Sequence, residues 1–414
     1  MARVLLILPS ATYRAPDFTR AAAALGVDLV VASDRRQALS GMLGDRALTL
    51  PLRRPEEAAE RIVAHARRTP LDAVVAVDDQ GVRTAALAAA ALGLRTSDPA
   101  AVARTRDKAA LRERLAEVGG VPQPAFRVAP DGADVAALAA ELGPPVVVKP
   151  LSLSASRGVI RADDPAGAAA AAERVRAMVP AGEPLLLESY VPGAEVALEG
   201  LMRDGRLEPL AVFDKPDPLE GPYFEETIYV TPSRLPAAAL AAVERTAAAA
   251  AAALGLTEGP VHAELRVDGD RVTLLELAAR SIGGHCSRAL RFGAGISLEE
   301  VILRHALGLE LDDLHRADAA SGVMMVPIPR AGVLEGVGGQ EDAAAVPGIA
   351  GVEIAIAPGR PVEPLPEGDR YLGFLFARGA HPAEVEAALR AAHARLDIRI
   401  AAADAGAAPA AAGT

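Results

Sequence analysis

Glu264 and Glu276 are the residues of this chain that most resemble working chemistry. They sit in residues 261–284, VHAELRVDGDRVTLLELAARSIGG. Val261, Ala263, Leu265 and Val267 alternate with His262, Glu264 and Arg266, and Asp268-Gly269-Asp270 separates this run from a second one, residues 271–279. That pattern predicts an antiparallel hairpin with a three-residue loop. An odd loop places the even positions of both arms on one face. Glu264, Glu276 and Arg280 then share a face, while Val261, Ala263, Leu275 and Leu277 pack on the other. Unpaired carboxylates on a buried hairpin are costly and call for a cation. Oxygen ligands, with no His-x-x-x-His and no paired cysteines, favour magnesium over zinc, with manganese as a substitute. The alternative is a solvated hairpin whose glutamates pair with Arg266 and Arg271.

A second signal is a lysine that ends an apolar run. Pro145-Val146-Val147-Val148-Lys149-Pro150 is followed by Ser152-Leu153-Ser154-Ala155-Ser156-Arg157-Gly158-Val159. A strand-end lysine and a Ser- and Gly-containing loop offer one point charge and several backbone N–H groups to a phosphate chain. No Gly-Lys-Ser or Gly-Lys-Thr helix follows, so this is not a Walker loop. Taken alone, such a lysine reads more readily as a surface residue. Next comes an apolar strand that runs into Glu188-Ser189-Tyr190-Val191-Pro192-Gly193-Ala194-Glu195 and a further strand, residues 196–202.

The order of these parts resembles the ATP-grasp superfamily: strand with lysine, Ser/Gly loop, Glu-Ser-Tyr-Val-Pro-Gly-x-Glu, then a hairpin with two glutamates. The resemblance covers most of the chain. It implies that Lys108 and Lys149 are the two nucleotide lysines. Ser154, Ser156, Arg157 and Gly158 would belong to a loop that closes over phosphate. Glu188, Tyr190 and Val191 would form the hinge whose backbone reads adenine, and Glu195 would meet the ribose hydroxyls. Glu264 and Glu276 would be the metal ligands, and Arg280 would hold a carboxylate or acyl phosphate. Many such enzymes carry Asn two residues after the second metal glutamate; here that residue is Ala278, which makes a second metal less certain. Residues 213–233 and 276–284 resemble the branch that joins amino acids, the L-amino-acid ligases. Without the resemblance, residues 214–233 read as a Pro-rich surface loop.

The implied activity is an ATP- and magnesium-dependent carboxylate–amine ligase, with Lys149 and Arg280 as catalytic residues. Its substrates would be a small carboxylic acid and an amine, most simply two L-amino acids joined into a dipeptide through an acyl phosphate, with release of ADP and phosphate. One alternative within the fold is a purine-pathway ligase or carboxylase that activates formate or bicarbonate, for which no phosphate-binding arginine set is evident. The other is a non-catalytic nucleotide- or amino-acid-binding protein. His262 reads as a histidine supporting the hairpin, His285 as a turn residue near the reacting centre, and Cys286 as structural.

These groups need elements to hold them. Residues 3–98 alternate short apolar runs (4–8, 29–32, 47–50, 71–77) with helical patterns (21–25, 55–67, 82–92), which predicts a parallel sheet with helices on both faces. Asp78 and Asp79 lie at a strand end where ligands bind in such sheets, or they cap the following helix. Ser97-Asp98-Pro99 and Asp107-Lys108 read as helix starts. Residues 235–254 form a long Ala-rich helix, 297–307 and 309–314 are read as helices, and 323–377 contain short strands before a closing helix at 382–396. The fold class is therefore α/β, with an N-terminal parallel-sheet domain (1–98), a central ATP-grasp α+β fold (99–310) and a small β-rich C-terminal domain (311–400). Residues 401–414 read as a disordered tail.

The chain has 414 residues with 51% hydrophobic and 23% charged, consistent with several packed cores. A net charge of -11 argues against nucleic-acid binding through phosphate neutralisation. The one cysteine excludes a disulfide framework. The run at 4–8 is short for a signal peptide and the alanine tracts, such as 247–254, are short for a membrane span. A cytoplasmic homodimer without membrane or nucleic-acid partners is expected.

Overall fold

The computed structural model describes residues 2–10, 12–36 and 44–402. The expected tail lies outside these residues from position 403 onward. The chain divides into two compact units. One comprises residues 1–124, 191–213 and 234–318, the other residues 125–190, 214–233 and 319–414.

The first unit begins with a parallel sheet in the order Ala47–Thr49, Asp28–Ser33, Arg3–Ile7, Ala73–Ala76. The central strand is buried along Val4 to Ile7 because it has neighbours on both sides and helices over its faces. Helix Asp79–Ala91 leaves the end of strand Ala73–Ala76 and crosses close to the sheet. A Cβ built on Gly81 would lie 2.9 Å from Ile7 Cγ2, so only glycine lets the helix start come this near. That close approach fixes where Asp79, the first residue of the helix, stands. Asp98 and Asp107 cap the next two helices, Pro99–Arg104 and Lys108–Val118, by accepting backbone N–H groups as their sequence positions imply.

The second sheet of this unit is antiparallel, with strands in the order Arg271–Ala278, Gly259–Asp268, Ala194–Arg203, Arg206–Asp214. The hairpin of the sequence pattern is present, but its turn is shorter than expected. Asp268 pairs with Arg271, so only Gly269 and Asp270 make the turn. In that register Glu264 would face Leu275. A bulge at Leu274–Leu275 inserts one extra residue, and beyond it Glu264 pairs with Glu276 and His262 with Ala278. The shared face of the two glutamates thus results from a two-residue turn plus a bulge, and the packed residue changes with it. Leu274 is fully buried, whereas Leu275, expected in the core, is half-buried.

Three backbone atoms of the bulge have partners outside the hairpin. Leu274 N–H donates to Pro122 O at 2.9 Å, and the buried Arg112 donates to Leu274 O at 3.3 Å and to Leu275 O. Helix Ala237–Leu254 backs the hairpin with Val243, Ala247, Ala250, Ala251 and Leu254, which join Val261, Ala263, Leu265, Leu274 and Leu277 in one core. With 18 residues and mean hydropathy 1.4, this helix, unlike the alanine tract within it, matches a span by length and composition. Its buried third packs against the hairpin. The helix expected at 309–314 is absent; Leu309 N–H donates to Arg304 O beyond Gly308 in the left-handed region, which terminates helix Leu298–Ala306.

The second unit contains an antiparallel sheet in the order Phe126–Ala129, Leu185–Ser189, Val146–Pro150, Ile160–Ala162, covered by helices Val135–Leu142 and Pro165–Arg176. Its other strands include Ala320–Val326, Gly373–Gly379 and Ile349–Ile354, which pair antiparallel and pack against helix Pro382–His393. Strand Asp397–Ala401, to which the sequence assigned no element and whose last residue was placed in the tail, pairs with Gly332–Gly338. Ile398 and Ile400 give it enough apolar surface to join the core.

The bulge makes a testable distinction. Leu274→Ala should destabilise the protein by about 2–5 kcal/mol, and Leu275→Ala by less than about 1 kcal/mol, in reversible denaturant unfolding. Equal losses would mean that the register is wrong.

Candidate functional site

In the first unit, Glu264 and Glu276 occupy directly paired positions on adjacent strands, and both are half-buried. Like charges facing each other on a ladder repel, and half-burial strengthens the repulsion. Two carboxylates held this way suit a divalent cation with oxygen ligands. Ala278, where many such hairpins carry Asn, is buried across from His262 and offers no side-chain oxygen.

His262 lies between two carboxylates. Its Nε2 is 3.4 Å from Glu264 Oε1 and its Nδ1 is 3.6 Å from Glu199 Oε2. Glu199 is wholly buried, stands opposite His262 on strand Ala194–Arg203, and accepts the Ile282 N–H at 2.9 Å. Burial disfavours a charged ring, yet the two carboxylates outweigh it and push the His262 pKa up to about 9. Burial likewise raises the pKa of Glu199. Glu199 was not singled out from the sequence. The available signal was one glutamate inside the otherwise apolar run of residues 196–202.

Arg280 follows the second hairpin arm and meets the start of helix Asp79–Ala91. Its Nε is 2.9 Å from Asp79 Oδ1, and its NH1 donates to Ser281 O at 3.1 Å. Arg106 NH1 lies 2.9 Å from the same Asp79 oxygen. Burial works against the Asp79 carboxylate, but Arg280 and Arg106 hold its pKa far below the usual range. Asp78 occupies the N-cap position without capping the helix through its side chain. A neighbouring arginine, Arg14, is buried and spans the same region: NH1 donates to Val77 O and NH2 to Ser281 Oγ, each at 2.8 Å. Lys108 is half-buried at the first position of its helix.

Glu195, expected near ribose, is buried with Arg266 Nε at 2.9 Å, and Arg266 NH1 also donates to Gly193 O. Arg266 is therefore committed to Glu195, and the solvated-hairpin alternative loses one of its partners. His285 has φ +55°, packs against the Tyr13 ring at 4.4 Å and has Nδ1 3.6 Å from Asp17 Oδ2. Cys286 is buried.

In the second unit, Lys149 Nζ forms an ion pair with the buried Glu188 Oε2 at 2.6 Å. Adjacent strands deliver both side chains, with Val147 opposite Glu188 and Lys149 opposite Leu186. Tyr190 donates its backbone N–H to Pro145 O, and the Arg161 guanidinium lies 4.3 Å from the Tyr190 ring centre. The Ser/Gly loop is turned by Ala155, Ser156 and Gly158, all with positive φ. Gly158 N–H donates to Pro366 O at 2.9 Å and Arg157 Nε to Glu367 O at 3.0 Å. Residues 214–233 are no plain surface loop. Lys215 is buried with its ammonium against Glu226, and Ser233 Oγ donates to Asp214.

Three families match successive parts of the chain: the ATP-grasp N-terminal domain at residues 19–96, the ATP-grasp domain at 142–289, and the L-amino acid ligase C-terminal domain 2 at 324–401. The crystal structure of L-amino acid ligase from Bacillus licheniformis has the same fold, with a TM-score of 0.82 over 97% of this chain and 99% of that one at 24% identity. The chain is an ATP-grasp protein, L-amino-acid-ligase-like. Alanine–anticapsin ligase of Bacillus subtilis is 28% identical over 270 residues, 60% of this chain and 56% of the ligase. The chain thus spans little more than half of that relative. Formate-dependent phosphoribosylglycinamide formyltransferase of Mycolicibacterium smegmatis is 29% identical over 75% of this chain and 77% of its own length.

In this ATP-grasp chain the His262 cluster gives stability a definite pH dependence. The folded-state pKa of His262 is raised, so its contribution is complete below about 6.5 and is lost as pH rises through about 9. Without divalent cations, the melting temperature of the parent protein should fall between pH 7.5 and pH 10, by several degrees more than that of His262→Gln. Parallel curves for the two proteins would show that His262 is not charged in the fold.

Proposed function

We propose that this chain is an ATP-dependent carboxylate–amine ligase that joins two L-amino acids through an acyl phosphate. The observation that carries the proposal is the pairing of Glu264 with Glu276 on a half-buried ladder whose second arm leads directly to the anchored Arg280. The L-amino acid ligase C-terminal family at 324–401 and the alanine–anticapsin ligase likeness support amino acids as substrates.

Glu264 and Glu276 would hold magnesium, which would supply positive charge to offset the terminal phosphates of ATP. Lys108 and Lys149 direct positive charge to the transferring phosphoryl group, since such transfers depend on positioning and electrostatics. Glu188 pairs with Lys149 and orients it. Ser154, Ser156, Arg157 and Gly158 form the loop that covers the phosphates and excludes water. Tyr190 and Val191 take the adenine, and Glu195, held by Arg266, faces ribose. Arg280 grips the carboxylate of the acid substrate and then its acyl phosphate. The amine of the second amino acid attacks the acyl carbon, phosphate departs, and an amide forms.

A purine-type reading has one specific support, the 29% identity with the formyltransferase over three quarters of both chains. It differs in the acid that is activated, formate instead of an amino acid.

The decisive assay supplies ATP, magnesium and amino-acid pairs, and measures ADP, AMP and amide. ADP and amide should form one to one, and hydroxylamine should trap the activated acid as a hydroxamate. AMP as product would overturn the mechanism. Hydroxamate from formate and from no amino acid would move the chain to the purine-type reading. In the same assay Lys149→Ala should lower ADP formation by roughly a hundredfold or more. Near-parental turnover would remove Lys149 from the site.

A further inference from the structure

We infer that Asp79 is a positioning residue that sets the Arg280 guanidinium for the acid substrate and joins it to the segment that carries Lys108. The inference rests on the ligase reading above.

A single Asp79 oxygen, Oδ1, accepts from Arg280 Nε and lies 2.9 Å from Arg106 NH1. The Asp79 and Arg280 side chains are both 16% exposed. A flexible arginine gains a defined direction when a carboxylate holds its Nε edge. With Nε on Asp79 and one NH1 hydrogen on Ser281 O, the outer NH1/NH2 edge retains N–H donors for a substrate carboxylate. Asp79 is itself fixed: it begins its helix, and Gly81 lets that helix touch Ile7. Arg14 crosslinks the same two chain segments between Val77 O and Ser281 Oγ. Arg280 thus takes its direction from the parallel sheet as well as from the hairpin.

The second arm of the bridge is Arg106, two residues before Lys108. Asp107, between them, caps the helix that Lys108 begins. Acid binding and placement of the nucleotide lysine therefore share one carboxylate. A buried ion pair seldom adds stability beyond what apolar residues would give, so a triad of this kind is better explained by the geometry it imposes.

The test compares Asp79→Asn, Asp79→Glu, Arg106→Gln, Arg280→Lys and the double variant Asp79→Asn/Arg280→Lys in the hydroxamate assay, with acid and ATP varied separately. An inactive parent protein would refute the ligase reading, and the bridge would then be judged by structure: the Arg280 guanidinium should turn away in Asp79→Asn crystals, and an unmoved guanidinium overturns it. With an active parent, Asp79→Asn should raise the acid KM about tenfold or more, and Asp79→Glu, which keeps the charge but shifts Arg280, about threefold. Arg106→Gln should raise the ATP KM a few-fold and leave the acid KM within about twofold. The double variant should add less than about threefold to Arg280→Lys, because both changes disable one grip. An unchanged acid KM in Asp79→Asn, or multiplying losses in the double variant, overturns the assignment. If Asp79→Asn does not fold, an unchanged acid KM in Asp79→Glu does the same.

Discussion

Two like charges face each other across the hairpin of the first unit, and much of the surrounding structure answers to that constraint. Glu264 and Glu276 are paired positions on a half-buried ladder. Such a pair costs free energy in a folded chain unless positive charge is close. His262 supplies part of it from the first arm, and Arg280 adds its charge beyond the second. The pairing exists because of one extra residue. Without the bulge at Leu274–Leu275, the two-residue turn would set Glu264 against a leucine. Arg112, buried on a different helix, donates to the two bulge carbonyls, so it holds the register on which the carboxylate pair depends.

The positive charges are constrained in turn. Arg280 is fixed by Asp79, Arg266 by Glu195, and His262 by Glu199. Each partner comes from a different stretch of sequence, and each ion pair is largely buried. In low dielectric a lone charge of either sign would be expensive, so removal of one partner strands the other. The arrangement aims its groups by mutual restraint, which suits chemistry that works by placing charge and not by covalent attack.

How much of this was legible depends on whether the signal was local. The parallel sheet, the capped helices at Asp98 and Asp107 and the two-glutamate hairpin follow from period, capping chemistry and alternation, which are properties of neighbouring residues. The shared face of Glu264 and Glu276 was expected from an odd loop, but it arises from an even turn corrected by a bulge. A bulge leaves no local mark when both candidate residues are leucines. Glu199 and Arg112 were missed because their value lies in what faces them across the fold. Strand Asp397–Ala401 was hidden by the alanine-rich run that follows it, and 309–314 was read as helical although Gly308 had already ended the turn.

The Ser/Gly loop of the second unit shows why spacing alone could not describe its state. Sequence suggests a loop with free backbone N–H groups, whereas the Gly158 N–H donates to Pro366 O, and the Arg157 side chain donates through Nε to Glu367 O. Glu367 is also gripped by Arg174 on helix Pro165–Arg176, through a two-point contact that restricts its direction. Ala155 and Ser156 are held in left-handed conformations that cost of order 1–3 kcal/mol each when not glycine. A strained loop persists only where its surroundings over-determine it, and here those surroundings are residues 366–367. On the proposed function, the C-terminal part of the chain, which displayed no chemical motif of its own, would bear on phosphate chemistry by shaping this loop. If Gly158 gives its N–H to a phosphate, as the proposed function has it, it must first exchange the bond to Pro366, and nucleotide binding would then be coupled to release of residues 366–367.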